Sequence, residues 1–176
     1  MLLPARLCIV RPWRMSDVDA LVLHANDLEV ARQLRDRFPH PYTLHDATAF
    51  LRRAIEDVSG NLAIEVDGEA VGAIGYVPGT DIERFSAEIG YWLGRRFWGR
   101  GIATDALMAL TSHAFETGNM LRLFALPFTG NTGSIRVLEK AGYEREGRLR
   151  SSSVKYAVAR DQWMYARINP AWQGSR

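Results

Sequence analysis

Glu88-Ile-Gly-Tyr-Trp-Leu-Gly-Arg-Arg-Phe-Trp-Gly-Arg-Gly-Ile-Ala-Thr104 is the stretch whose reading decides the fold. Ala87, Ile89, Tyr91 and Leu93 alternate with Glu88, Gly90 and Trp92, which is the period of a strand. Arg95 to Gly101 then holds two glycines and three arginines. From Ile102 the apolar positions Ala103, Leu107, Leu110 and Ala114 take up helical spacing. A strand, a glycine-rich turn and the start of a helix therefore follow one another. The first turn of a helix carries N–H groups without intrahelical partners, and the macrodipole is positive there. Gly99 and Gly101 lack a Cβ, so a ligand can lie against the backbone. Arg95, Arg96 and Arg100 add fixed positive charge. A phosphate or pyrophosphate is the natural guest of such a junction.

The identity of that phosphate narrows by elimination. A Walker A loop needs Gly-x-x-x-x-Gly-Lys-Ser/Thr, and the sequence has none. The dinucleotide fingerprint fails because Thr104 stands where its third glycine belongs. Arg96-x-x-Gly99-x-Gly101-x-Ala103 instead resembles the acetyl-CoA pyrophosphate loop of the GNAT superfamily of N-acetyltransferases, Gln/Arg-x-x-Gly-x-Gly/Ala. The wider Glu88-Ile-Gly-Tyr-Trp-Leu93 and Trp98-Gly-Arg-Gly-Ile-Ala-Thr104 resemble its RimJ/RimL-type branch, as does the opening from Arg6 to Asp17. On glycines and arginines alone, a tight turn with a solvated arginine face is the alternative.

A second motif weighs against that alternative. Asn131-Thr-Gly-Ser-Ile-Arg-Val-Leu-Glu-Lys-Ala-Gly-Tyr143 begins with a good N-cap and closes on a glycine. Asn-x-x-Ser-x-x-Val-Leu-Glu-Lys-x-Gly-Tyr/Phe is similar to the corresponding helix of GNAT chains. The resemblance runs from about Arg6 to Ile168 and is weakest over Ser151 to Arg160.

The 176 residues suffice for one domain with a sizeable core, and a single domain over 1–176 is expected. Hydrophobic residues make up 47% and charged ones 24%, which excludes a disordered chain. The net charge of +2 is too small to argue for nucleic acid or a membrane surface as partner. Cys8 is the only cysteine, so an intrachain disulfide and a cysteine-based metal site are excluded, and no metal is expected. Cys8 itself reads as a small buried hydrophobe on the first strand. No apolar run approaches the roughly 18 residues of a spanning helix. The N-terminus has no signal-peptide layout, so a cytoplasmic protein is expected. The sequence is silent on oligomeric state and leaves a homodimer open.

Taken in order, Arg6 to Pro12 reads as a strand, and helices follow from Ser16 and near Leu28 to Leu34. Thr43 with Asp46 starts a helix reaching about Val58, ended by Ser59-Gly60. Leu62–Val66 and Ala70–Val77 flank Asp67-Gly68-Glu69, a hairpin signal. The helix after the glycine loop should end at Gly118 as a C′ glycine, followed by a strand over Leu121–Pro127. Strand, helix, strand makes a right-handed crossover and one parallel pair, with ligand at its carboxyl end. Glu144–Leu149 and Val154–Ile168 complete the set around a Ser151–Ser153 turn. The expected fold is α+β: a GNAT-like, mostly antiparallel sheet of about seven strands with one splayed parallel pair, flanked by helices.

The resemblance implies acetyl transfer from acetyl-CoA to a primary amine by direct attack in a ternary complex. The amine must lose a proton, for which Glu88 is the expected base, directly or through a water. Its alternative is a strand glutamate paired with an arginine such as Arg84, or facing solvent. The Trp92 or Leu93 N–H is expected to polarise the thioester carbonyl. Ser134 is expected to protonate the thiolate or hold its sulfur; otherwise it satisfies a first-turn N–H. Arg96, Gly99, Arg100, Gly101, Ala103 and Thr104 are expected at the pyrophosphate and Asn131 at the pantetheine arm. Arg136 is expected at the adenosine phosphates, or else on a solvated helix face. Phe38, His40 and Tyr42 are candidate contacts to the amine substrate, or residues that pin their loop to the core. Members of the branch often carry a carboxylate or aromatic contact near 151–160, where this chain has serines, Lys155 and Arg160. The acceptor therefore stays open between protein N-termini and small amines such as polyamines or antibiotics. Two other classes remain: a non-catalytic acyl-CoA sensor or scaffold, raised by the weak acid Ser134, and a nucleotide-phosphate binder, opposed by the missing Walker lysine.

Overall fold

Asp67 and Gly68 both have positive φ, 50° and 85°, the geometry of a two-residue hairpin turn. They join strand β3 (Leu62–Val66) to β4 (Glu69–Pro78). The structure, a computed structural model, describes residues 1–56 and 60–174. Before β3 come β1 (Leu3–Pro4), β2 (Ile9–Arg11) and helices α1 (Val18–Ala25), α2 (Leu28–Ala31) and α3 (Leu44–Glu56). After β4 come β5 (Ser86–Leu93), α4 (Ile102–Glu116), β6 (Arg122–Ala125), α5 (Thr132–Lys140), β7 (Glu144–Lys155) and β8 (Val158–Ile168). The strands form one sheet in the order β1-β2-β3-β4-β5-β6-β8-β7. Only β5–β6 is parallel. The expected mixed sheet is present, with eight described strands because Leu3–Pro4, before the expected Arg6–Pro12 strand, folds back antiparallel on β2 around a bend at Arg6–Leu7. No helix among the described residues is long and apolar enough to cross a membrane.

Two cores lie on opposite faces. Ile89 and Leu93 of β5 pack with Leu107 and Leu110 of α4 and Leu138 of α5. Cys8 belongs to this core, and burial, helped by Asp105, pushes its thiol up to about 11. On the other face Trp13, Leu21, Tyr42 and Leu51 cover Ala63, Ala70 and Ala73. Thr43 and Asp46 cap α3 reciprocally: the Thr43 N–H donates to Asp46 Oδ2 at 2.9 Å, and the Asp46 N–H donates to Thr43 Oγ1 at 3.3 Å. The expected continuation through Val58 and Ser59 lies outside the described residues.

Arg11 is sunk in the body of the protein, 1% exposed. It donates to both Asp17 oxygens at 2.8 Å, to the Pro12 carbonyl at 3.0 Å, and to Glu65. One guanidinium thus ties β2, β3 and the turn leading into α1. Burial opposes the Asp17 charge, but Arg11 and the Arg14 N–H overcome it and hold the carboxyl below its usual value.

Two turn readings need correction. β7 runs straight through Ser151–Ser153 to Lys155, and the turn is Tyr156-Ala157, with φ of 52° and 60°. The serines form an irregularity in the β7–β8 register instead, organised by Asp161, which accepts from the Ser151 N–H at 2.7 Å. At the end of α4 the left-handed residue is Asn119, φ 51°, not Gly118. Gly118 is required for close approach: a Cβ there would lie 2.8 Å from the Tyr76 hydroxyl and the Ala114 carbonyl. Gly142 does close α5 in the expected way, with φ 78° and the Tyr143 N–H donating to Leu138 O at 3.0 Å.

Candidate active site

β5 and β6 pair over three residues only, ending at Glu88 opposite Phe124. Beyond that point β5 continues to Leu93 beside β4. The chain after β6 turns the other way: the Leu126 carbonyl accepts from Gln162 Nε2, and the Pro127 carbonyl from the Trp163 N–H. The two strands therefore splay, and the gap lies at their carboxyl ends.

The β5 side of the gap leads to the glycine loop. Arg95–Phe97 makes a single 3-10 turn, and Gly99 and Gly101 follow with φ of 75° and 81°. Gly101 is the N-cap of α4, and no side chain caps the helix there. A Cβ on Gly99 would meet nothing within 4 Å, so the bare backbone faces open space. Asp105, the acid of the first turn, is occupied by the Leu7 N–H at 2.6 Å. The corner therefore offers free amide donors, as a diphosphate requires. Arg96 and Arg100 are exposed beside it, and the Arg100 guanidinium lies 5.5 Å from the Phe97 ring centroid. The loop is anchored from behind. Trp98 Nε1 donates to the Leu93 carbonyl at 2.7 Å, and the His24 ring packs on Phe97 while filling the space that a Gly94 side chain would need.

The β6 side leads to α5. The Asn131 side chain caps this helix by accepting from the Ser134 N–H at 3.1 Å. Ser134 Oγ lies 2.8 Å from the Tyr91 hydroxyl, which also donates to the Ser134 carbonyl at 3.1 Å. Burial pushes the Tyr91 phenol well up, so it stays protonated. The bond joins β5 to the start of α5 across the gap. Arg136 is exposed on α5.

Glu88 projects to the opposite face, at the last paired position before the split. Its partner is Arg35, not Arg84, whose guanidinium lies over the Phe85 ring. Phe38 packs against both Tyr42 and Trp92, with centroids at 5.0 and 5.4 Å. Tyr42 is buried at 5% exposure, and His40 is exposed. Among the described residues no group of three His, Cys, Asp or Glu side chains is placed to hold a metal.

The sequence singled out Glu88, Ser134 and the loop, but missed Arg35, Tyr91 and His24. Tyr91 carried a readable signal, since it shares the inward parity of Ile89 and Leu93. Arg35 and His24 carried none, because only folding brings them to β5 and to the loop.

The sheet thus splits at its one parallel pair, and an uncapped helix start follows the β5 side of the split. Residues 6–144 match the family described as Acetyltransferase (GNAT) domain. The chain belongs to that family. It is 27% identical over 172 residues, 94% of each chain, to "Uncharacterized N-acetyltransferase p20" of Bacillus licheniformis. It is 31% identical over 126 residues, 71% of this chain and 68% of the other, to "Putative ribosomal N-acetyltransferase YdaF" of Bacillus subtilis. The solved structure of Mycobacterium smegmatis RimJ in complex with CoA-disulfide superposes with a TM-score of 0.80 at 26% identity, covering 95% of this chain and 86% of that one. These place it in the RimJ/RimL-like branch. The protein is an acetyl-CoA-dependent N-acetyltransferase, which transfers an acetyl group to an amine. Acetyl-CoA is its cosubstrate, and solved relatives of the fold carry CoA or acetyl-CoA.

Proposed function

We propose that residues 1–176 act as a single domain that acetylates the N-terminal amine of a protein, with Glu88 as base and Ser134 as acid. The single observation that carries the residue roles is the opening of β5 from β6 immediately after Glu88. It leaves a carboxylate on one face of the gap and the Ser134–Tyr91 pair on the other. Gly99, Gly101, Ala103 and Thr104 hold the diphosphate by backbone amides, with Arg96 and Arg100 adding charge. Asn131 touches the pantetheine arm, and Arg136 reaches toward the adenosine phosphates. The Leu93 N–H polarises the carbonyl.

Glu88 takes a proton from the ammonium, directly or through a water, and the freed nitrogen attacks the thioester carbonyl. The C–N bond forms, the C–S bond breaks, Ser134 gives its proton to the leaving sulfur, and the second proton shed by the nitrogen restores the serine hydroxyl through water. Tyr91 keeps the serine hydroxyl aimed at the gap. Phe38, His40 and Tyr42 shape the wall on the amine side, Tyr42 from within the core. Holding both reactants at one split in the sheet supplies much of the rate. The name of the YdaF relative, a putative ribosomal N-acetyltransferase, supports a ribosomal acceptor over a small amine; the N-terminal amine and a cytoplasmic location are part of the proposal. A homodimer is decided by sedimentation.

Calorimetry with acetyl-CoA, followed by mass analysis of synthetic N-terminal peptides, tests this. The expected result is binding at tens of micromolar or tighter and a single acetyl adduct on the peptide α-amine. An adduct only on lysine side chains or small amines would remove the N-terminal acceptor.

A further inference from the structure

A cavity of about 420 Å³ opens where the segment after α2, the chain following β6 and the β7–β8 hairpin meet. That is within the range of about 300–1,000 Å³ usual for small-ligand sites. Phe128 and Tyr156 line it with rings, and Arg32, Arg160 and Asp161 with charge. Two of its lining residues stand close in sequence to the residues of the proposed chemistry. Gly130 on its wall directly precedes the Asn131 cap that orients Ser134. Arg32 lies three residues before the Arg35 that pairs with Glu88. The hairpin is clamped to the same segment by Lys155, which meets Asp36 at 2.8 Å.

The charges around this cavity do not balance. Asp36 is paired with Lys155, Glu29 with Arg32, Glu88 with Arg35 and Asp161 with Arg148. The Ser151 N–H and Arg148 also hold Asp161 below the usual carboxylate value, so it stays an anion already satisfied. Arg160 has no carboxylate at ion-pairing distance among the described residues, and Arg150 adds further positive charge near Asp161. The surplus cation therefore lies on the cavity wall, together with two rings that accept the apolar part of a guest. A polycation is repelled there, and a carboxylate is drawn in.

We propose that this cavity receives a carboxylate of the acceptor, so that the preferred substrate is an amine followed within a few bonds by acidic groups, as in an acidic protein N-terminus. This rests on the acetyl-transfer reading of the gap and selects among the acceptors it allows: polyamines and aminoglycosides are excluded by charge.

The test uses the full chain, with two peptides sharing an N-terminal serine, one followed by Asp and Glu and one by Lys. Free glutamate and spermidine are further arms. The acidic peptide is expected to show kcat/KM about tenfold or more above the basic one. Arg160→Glu should abolish or reverse that preference and leave acetyl-CoA affinity unchanged, while Arg160→Lys should retain it. A preference for glutamate over the acidic peptide would still support the cavity and assign it to a small molecule. Equal or better use of the basic peptide or spermidine, or a preference untouched in Arg160→Glu, overturns it. An arm without turnover keeps the two readings apart. The N-acetylated acidic peptide should bind wild type more tightly than its basic counterpart, and that difference should vanish in Arg160→Glu. Loss of acetyl-CoA binding would defeat the acetyl-transfer reading, whereas equal binding of the two acetylated peptides would defeat the cavity.

Discussion

The two faces of the sheet are built in opposite ways. The α4–α5 face is assembled from local sequence: a loop and its helix over Gly94–Glu116, and a cap and its helix over Asn131–Gly142. The α1–α3 face is assembled from a distance. Arg35 reaches Glu88 across 53 positions, Arg11 reaches Glu65 across 54, and Lys155 reaches back to Asp36. In the proposed reading, backbone amides at a helix start recognise a diphosphate, for which a contiguous motif is sufficient, whereas recognition of the acceptor would use side chains placed by three separate segments.

Four substitutions break or sharpen that contrast, in falling order of effect. Arg11→Met leaves Asp17 and Glu65 without their cation and should lower stability by roughly 3–5 kcal/mol in urea unfolding. The pH dependence has a definite sign. Asp17 titrates lower folded than unfolded, so its contribution is full above the ordinary Asp value of 3.8 and fades as pH falls through its folded value. Arg11→Met should lose that acid limb; an unchanged limb would show that another carboxylate causes it. Glu88→Gln comes next, with kcat expected to fall by about a hundredfold or more while calorimetry finds acetyl-CoA affinity intact. Retained turnover would return Glu88 to a purely structural pairing with Arg35.

Gly101→Ala tests the local face. At φ 81° an alanine is strained by about 1–2 kcal/mol. Thermal unfolding should show that loss, and acetyl-CoA should bind more weakly, with substrate peptide KM unaffected. Weakened peptide binding with normal acetyl-CoA affinity would reverse the assignment of the two faces. Ser134→Ala should be mildest, lowering kcat by about tenfold, because a serine hydroxyl is a poor acid even when Tyr91 aims it. A larger loss in Tyr91→Phe than in Ser134→Ala would make the phenol the proton donor.

Legibility followed the same division. The strand–loop–helix junction, the Asn131 cap, the Gly142 stop and the Asp67-Gly68 hairpin were read correctly because each is a short-range conformational demand. The Ser151–Ser153 turn was misread because serines are turn formers in isolation. In the protein, Asp161 on the neighbouring strand absorbs them into a bulge in which Ser151 has φ 47°, and the hairpin turn falls at Tyr156-Ala157, where φ is positive although neither residue favours it. Gly118 was rightly marked as a required glycine but for the wrong reason, since the constraint is the approach of Tyr76 from β4. Partners of Glu88 could not be ranked, because Arg84 and Arg35 are indistinguishable until α2 and the segment after it are placed.

By itself, the sequence determined the family, the mixed sheet with its single parallel pair, and the glycine corner at the start of α4. All three rest on backbone conformation, which is dictated within a dozen residues by glycines, caps and hydrophobic period. Tertiary structure alone decided which cation holds Glu88, that Tyr91 stands behind Ser134, and that Arg160 lies beside a cavity with no carboxylate partner among the described residues. Side-chain partners and net local charge are properties of distant segments brought together, and no short window of residues contains them.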